Sequence, residues 1–318
     1  VSAIRFDQVS LQFPGAARPA VDQCSCEIET GRLVVILGPS GCGKTTLLKM
    51  VNRLYEPTSG GIYLNGQEVR QMQVTKLRQQ IGYVIQQSGL FPHMTVAQNV
   101  AVVPKLLGWS RPRIQERIDE LLHLVQLPPL EYRNRYPAQM SGGQQQRVGL
   151  ARALAGDPAV MLMDEPFGAI DAITRTSLQD EMLRLQRQLQ KTILFVSHDV
   201  EEALRLGDRL LIMEKGRIVQ YDTPFNVLTQ PANEFVYQLM GADDMVRQLG
   251  LLRVETAMKR LPESSLNGEP TVEQQDSLRS ALSLILKTGA KKLTVLDQGL
   301  PVGILTLEHI RDSAGIVS

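Results

Sequence analysis

Cysteine is scarce in this chain, and so are aromatic residues and any surplus of charge. Three cysteines, Cys24, Cys26 and Cys42, stand in 318 residues. An odd number cannot pair completely, and their spacing fits no metal-binding pattern, so they read as reduced structural thiols. Basic and acidic side chains number 34 and 33, for a formal charge of +1. That balance excludes a binder working through a basic surface, and no nucleic-acid partner is expected. With 43% hydrophobic and 21% charged residues, the composition is not that of a disordered tail either. No apolar run approaches the roughly 18 residues of a membrane-spanning helix; "LVVILG" and "TILFV" have the length of strands. The opening "VSAIRFDQVS" alternates apolar and polar residues and lacks the charged start and apolar block of a cleaved leader. These absences predict a soluble, cytoplasmic protein that can still dock on a membrane partner.

What is present suggests more than one domain, since a domain usually takes roughly 100 to 200 residues. Alternating Ile4, Phe6, Val9, Leu11 and Phe13, with a hairpin signal at Asn65-Gly66, predict an antiparallel β layer around the first part of the chain. Three continuous apolar runs are each followed by a helical pattern: "RLVVILG" by "KTTLLKMVNRL", "AVMLMDE" by "TSLQDEMLRLQRQL", and "TILFVSHD" by "VEEALRLG". Such strands belong to a parallel sheet covered on both faces, so the fold class is α/β. Between about 90 and 155 the pattern is helical, with Ile114, Ile118, Leu121, Leu122 and Val125 at helix spacing, which predicts a helical subdomain inserted into that core. After a hairpin, "DRLLIMEKGRIVQ", and a helix, "ANEFVYQLMG", the composition shifts near 241 to 250. The expected division is a main domain over 1–241, a connection over 242–270 and a small α/β unit over 271–318 that could begin near 251. In that unit Asp276 is expected to cap a helix, Gly289 to end it and two short strands to follow.

The segment "GPSGCGKTT" at 38–46 has the spacing of a phosphate loop and sits between an apolar strand and a helix, as that motif requires. Gly38, Gly41 and Gly43, with Ser40 and Cys42 between them, turn backbone N–H groups toward phosphate. Lys44 supplies charge to the outer phosphates, and the Thr45 hydroxyl is a Mg²⁺ ligand. Thr46 reads either as a further phosphate contact or as an ordinary helix start, and Cys42 as incidental to the loop. The strand "AVMLMDEP" ends in paired acids, where an unpaired buried charge is costly. Asp164 is placed to hold Mg²⁺ through water, and Glu165 to polarise an attacking water. His198 stands at the carboxyl end of another strand, where ligands bind in an open parallel sheet, and reads either as a structural histidine or as a group aimed at a terminal phosphate. No Asn-Lys-x-Asp guanine-reading motif occurs, which favours ATP. Phe13 reads either as an adenine-stacking ring or as core. In "MSGGQQQR", Ser141 and Gln144 stand at capping-box spacing, but the cap leaves Gly142 and Gly143 unexplained, since glycine inside a helix costs up to about 1 kcal/mol relative to alanine. A bare helix N-terminus with a serine hydroxyl is a second anion site, and one triphosphate does not easily fill two separated cradles of the same chain.

Over residues 1–241 these segments, in the order "GPSGCGKTT", "YVIQQ", "MSGGQQQRVGLARAL", "VMLMDEP", "GAID" and "SHD", resemble the ATP-binding cassette family. "KMVNRLYEPTSG", "IGYVIQQSGLFPHMTVAQNV", "VPKLLGW" and "DEPFGAIDAITRTSLQDEM" are similar to ATPase subunits of bacterial importers for quaternary-amine osmoprotectants. The tail resembles one cystathionine-β-synthase-type repeat, with His309 where nucleotide-binding repeats usually carry aspartate. The resemblance implies a head-to-tail homodimer in which ATP and Mg²⁺ lie between one chain's phosphate loop and its partner's signature motif. Ser141, Gly142, Gly143, Gln144 and Asp171 would then serve ATP in trans. Gln86, aligned on "YVIQ" with Gln87 adjacent, would link Mg²⁺ and the catalytic water to the membrane subunit. Segment 87–110 would lie near a groove for integral membrane permease subunits, which in turn meet a substrate-binding protein. Met140 stands where leucine is commoner, and Gly168 and Ile170 where serine and leucine are frequent. Two rival readings are a cytosolic ATPase of the same family without a transporter, and a regulator that senses nucleotide or ionic strength through its tail.

Overall fold

A computed structural model describes residues 2–85, 89–168, 172–242, 244–260 and 269–313, with the backbone alone at 172–174. The chain divides into two units, 1–223 and 224–318.

In the first unit, strand β1 (Ser2–Leu11) pairs antiparallel with β2 (Val21–Glu29). The buried side chains change parity along β1, from Ile4 and Phe6 to Val9 and Leu11. A strand alternates strictly, so such a change needs an extra residue. The register shifts between Phe6 and Val9, and Gln8 there takes a positive φ of 48°. Strand β3 (Leu33–Leu37) is buried at every position, and β4 (Ser59–Leu64) and β5 (Gln67–Glu68) follow. Their turn is the expected one, with Asn65 at φ 49° and Gly66 at φ 82°, the left-handed pair that a two-residue hairpin needs. The antiparallel layer has the order β2-β1-β4-β5.

The main sheet adds β6 (Ile81–Val84), β7 (Val160–Asp164), β8 (Thr192–Val196), β9 (Arg209–Glu214) and β10 (Arg217–Asp222) in the order β10-β9-β3-β8-β7-β6. Its four pairings among β9, β3, β8, β7 and β6 are parallel, and only β10 runs antiparallel, on the edge. Side chains of β3 and β8 are apolar on both faces because both faces are covered. The helix Lys44–Val51 lays Leu47, Leu48, Met50 and Val51 into a core shared with Ile4, Phe6 and Ile28 of the antiparallel layer. Helices Val96–Leu106, Arg111–Leu124, Pro129–Tyr132 and Gly142–Leu154 occupy the stretch expected to be helical. All five residues from Ile114 to Val125 that fixed its period are buried.

The second unit begins at Pro224, ahead of the shift in composition near 241 to 250, because the helix Pro224–Thr229 packs on Met245–Leu251 further along. Its sheet comprises β11 (Lys259–Arg260), β12 (Thr271–Glu273), β13 (Lys292–Asp297) and β14 (Leu300–Thr306), ordered β11-β14-β13-β12. The stretch expected to be a connection thus supplies an edge strand, and its Leu249 and Val254 join a core with Leu278, Ile285, Leu293 and Leu305. The helix Leu278–Thr288 ends, as expected, on Gly289 at φ 67°. Its cap is Ser277, which accepts from Ser280 N at 3.1 Å, and not Asp276. The Asp276 carboxylate instead accepts from Glu273 N at 3.1 Å and closes the turn before the helix.

Ile28 is fully buried beneath the antiparallel layer, whereas Leu130 has a relative exposure of 104%. Ile28→Ala should therefore cost about 2–5 kcal/mol of unfolding free energy in urea, and Leu130→Ala should change it by less than about 0.5 kcal/mol. Equal effects would contradict the placement of this core.

Candidate functional site

The phosphate loop leaves β3 at Leu37 and enters its helix at Lys44. Glycine is demanded here by close packing as well as by dihedral angle. A Cβ on Gly38, at φ 153°, would lie 2.2 Å from the Met213 carbonyl oxygen, and one on Gly43, at φ 107°, 2.3 Å from that of Ala20. Gly41, at φ 79°, faces open space, so only its conformation calls for glycine. Gly216 N donates to Cys42 O at 3.0 Å, hooking the loop to the β9–β10 turn. Ser40 and Gly41 are exposed at its tip, and Thr45 and Thr46 are half-buried behind it. The Lys44 ammonium folds back into the loop, donating to Gly38 O at 2.7 Å and Pro39 O at 3.0 Å. Cys42 is buried, and burial raises its thiol pKa, which leaves little thiolate for reaction. The same cause pushes Cys24 up to about 11 and Cys26 up to about 12, in keeping with structural thiols.

Across the sheet, Thr45 Oγ1 donates to Asp164 Oδ1 at 2.8 Å. Burial raises the Asp164 pKa, opposed by that hydrogen bond and by the charge of Lys49, and Glu165 adds to the rise. A hydroxyl and a carboxylate side by side are the hard oxygen donors that Mg²⁺ prefers, and a desolvated carboxylate gains most from a cation. These two residues therefore fit the ion. Glu165 follows immediately and takes φ 45°, a left-handed conformation uncommon for a residue with a Cβ. Its N–H donates to Val196 O at 3.1 Å, continuing the sheet beyond β7. Its carboxylate Oε2 lies 3.3 Å from His198 Nδ1. Lys44, Thr45, Asp164, Glu165 and His198 thus gather where β3, β7 and β8 end. Gln86 and Asp171, and Gln87 beside the former, lie outside the described residues.

Phe13 is no core residue. It is 36% exposed, with its ring set edge-on to Tyr55 at 5.3 Å and 86°. The structure therefore leaves it available for stacking, supported from one side by Tyr55.

Ser141 caps the helix Gly142–Leu154 with the full capping box: its Oγ accepts from Gln144 N at 3.3 Å, and Gln144 Oε1 accepts from Ser141 N at 3.0 Å. Gln144 Nε2 also donates to Tyr132 Oη at 3.0 Å. Gly142 is not in a left-handed conformation, and a Cβ there would meet nothing within 4 Å. Neither the backbone nor the packing of this chain calls for that glycine.

Three links escaped the sequence reading. Tyr55 gave no local signal. Gln146 donates through Nε2 to Pro166 O, tying the Ser141 helix to the loop just after Glu165. It shares a buried stripe with Gly149 and Ala153, so a polar residue within an apolar helix face was the available clue. The third link, between Gln179 and Glu202 at 2.9 Å, joins the two helices on either side of β8.

Residues 21–168 match the family described as ABC transporter. The chain is 46% identical over 99% of its length, and 82% of the relative's, to the glycine betaine/carnitine/choline transport ATP-binding protein OpuCA of Bacillus subtilis. It is 49% identical to the glycine betaine uptake system ATP-binding protein YehX of Escherichia coli, covering 97% of this chain and 98% of that one. Among solved structures, the dimeric post-hydrolysis state of the ATP-binding cassette MJ0796 bound to ADP and Pi matches with a TM-score of 0.62 and 30% identity, over 70% of this chain and 98% of that one. The chain therefore belongs to the ATP-binding cassette transporter family, as one of its ATPases.

Proposed function

We propose that this chain is the ATP-hydrolysing subunit of a membrane importer, that it works as a head-to-tail homodimer, and that the importer takes up a quaternary-amine osmoprotectant. The hydrolytic part rests on one observation: Glu165 and His198 lie 3.3 Å apart beside the Thr45–Asp164 pair. The substrate class rests on the names of the relatives, one an ATP-binding protein of glycine betaine/carnitine/choline transport and the other of a glycine betaine uptake system.

The phosphate loop binds the triphosphate through its backbone N–H groups, and Lys44 turns outward from the carbonyls of Gly38 and Pro39 to meet the outer phosphates. Thr45 and Asp164 would hold Mg²⁺, with Gln86 as a third group, and the ion supplies positive charge to the phosphoryl oxygens when bound. Glu165 accepts a proton from the water that attacks the terminal phosphorus. The water oxygen forms the new P–O bond as the bond to ADP breaks, leaving ADP and phosphate. His198 donates to the terminal phosphate and keeps Glu165 oriented. Phe13 stacks on the adenine.

Gly142 supports the second half of the site. A helix start stripped of side chains, with no reason inside its own protomer, suits close approach by another molecule's phosphates. Ser141, Gly142, Gly143 and Gln144, with Asp171, would act on the partner's ATP. The tail over 271–318 is read as a cystathionine-β-synthase-type packing module. Among the described residues no helix is long and apolar enough to cross a membrane. The chain would accordingly reach the inner face of the membrane through permease subunits bound at about 87–110, with the substrate-binding protein a step removed.

Glu165→Gln should lower phosphate release by roughly 10² to 10⁴, the usual contribution of a general base, and still allow ATP-dependent dimers on gel filtration. Near wild-type hydrolysis would sink the assignment. Mixing Ser141→Arg protomers with Lys44→Ala protomers should restore one of two composite sites in the heterodimer and hence measurable turnover. Sites built within one chain would leave the mixture as inactive as its components.

A further inference from the structure

The turn that carries His198 is held by a buried hydrogen-bonded chain that the hydrolytic reading does not use. Asp199 and Glu202 stand at capping-box spacing, and half of the box forms: Asp199 Oδ1 accepts from Glu202 N at 3.1 Å. The other half is broken. In a complete box the Glu202 carboxylate would accept from Asp199 N. That N–H donates instead to Ser197 Oγ at 3.0 Å. The Ser197 hydroxyl in turn donates to Glu202 Oε2, and Glu202 Oε1 accepts from Gln179 Nε2 at 2.9 Å, on the helix Ala172–Leu189. Arg205 Nη1 donates to Gln179 Oε1 at 3.1 Å, which fixes the amide so that its nitrogen faces Glu202.

Every member of this chain has its donor or acceptor role set by its neighbour, and the two residues flanking His198 are both pinned by it. Ser197, Gln179 and Glu202 are only 1%, 5% and 8% exposed. A carboxylate is an expensive way to fill such a space, where an apolar side chain would pack at lower cost. Burial raises its pKa, countered by the hydrogen bonds from Ser197 and Gln179. Glu165, His198, Glu202 and Arg175 also line one polar cavity of about 30 Å³, so the buried carboxylate lies directly behind the hydrolytic pair.

We propose that Glu202 is a positioning residue for ATP hydrolysis: by accepting from Ser197 and Gln179 it locks the 197–199 turn to the helix Ala172–Leu189 and holds His198 beside Glu165. The proposal rests on the reading of Glu165 and His198 as the hydrolytic pair. Glutamine can keep the lock, since its oxygen still accepts from Gln179 and its amide donates to Ser197, whereas alanine cannot.

The test is steady-state ATP hydrolysis by the full chain, with thermal unfolding as a control. Glu202→Ala should lower kcat at least tenfold with KM for ATP within twofold, and Glu202→Gln should stay within threefold of wild type. In a His198→Ala background, Glu202→Ala should add less than twofold to the loss, because it acts through that histidine. Wild-type kcat in Glu202→Ala, equal losses in the alanine and glutamine variants, or independent losses with His198→Ala would each overturn the positioning role. If Glu202→Ala shows no cooperative unfolding, Gln179→Leu takes its place, with a threefold or greater fall in kcat at unchanged KM expected and an unchanged kcat overturning the proposal. Wild-type turnover by Glu165→Gln in the same assay would overturn the underlying reading and this proposal with it; failure of the Glu202 arms alone leaves that reading standing.

Discussion

Everything at the site depends on parallel pairing in register between β3, β8 and β7. Ile36 stands opposite Val196, and Val196 opposite Asp164. Because these strands run the same way, the residues that follow them leave the sheet at one edge and at one level. The phosphate loop, the Ser197–Asp199 turn and Glu165 are those residues. Two backbone bonds extend the ladder past the strand ends, Ser197 N to Ile36 O and Glu165 N to Val196 O, each at 3.1 Å. The left-handed φ of Glu165 turns the chain immediately after the last of them. A slip of one residue would exchange the faces of every side chain and scatter the acids from the histidine.

Strands β3, β7 and β8 were legible because they are short, largely apolar and followed by motif residues, whereas β6, only four residues long, was not among the expected strands. The antiparallel layer was legible through its alternation, and even the bulge near Gln8 is written in the change of parity between Phe6 and Val9. The phosphate loop could be assigned because its residue spacing and its place between an apolar strand and a helix are local features. Long-range side-chain links were not legible. Gln146 with Pro166, Phe13 with Tyr55 and Glu202 with Gln179 are separated in sequence, and no local period encodes which surfaces will meet. At Asp276 and Ser277 two good caps stand side by side, and the choice between them was made by the turn that precedes the helix. The start of the second unit was hidden for a similar reason: the helix at Pro224 belongs with residues that come later, and composition alone carries no record of that packing.

Rigidity is distributed unevenly around the site. Gly38 and Gly43 are pressed against the carbonyls of Met213 and Ala20, so the phosphate loop is fitted into surrounding backbone with no slack for a methyl group. His198 is mostly exposed, with a side-chain exposure of 61%, above a turn held by the hydrogen bond from Asp199 N to Ser197 Oγ. The helix that begins at Gly142 is bound to the Glu165 loop through Gln146 and Pro166, and through Arg152 to Gly89 O at 2.7 Å. Its own N-terminus nevertheless faces outward.

That N-terminus sets two demands on the sequence against each other. Alanine at Gly142 would stabilise the helix by up to about 1 kcal/mol, and the chain's own atoms leave room for it. Selection for a sturdier protomer would therefore replace this glycine readily, as it does at many compatible surface sites. Its presence marks a place where the folded chain is less stable than its own packing would permit.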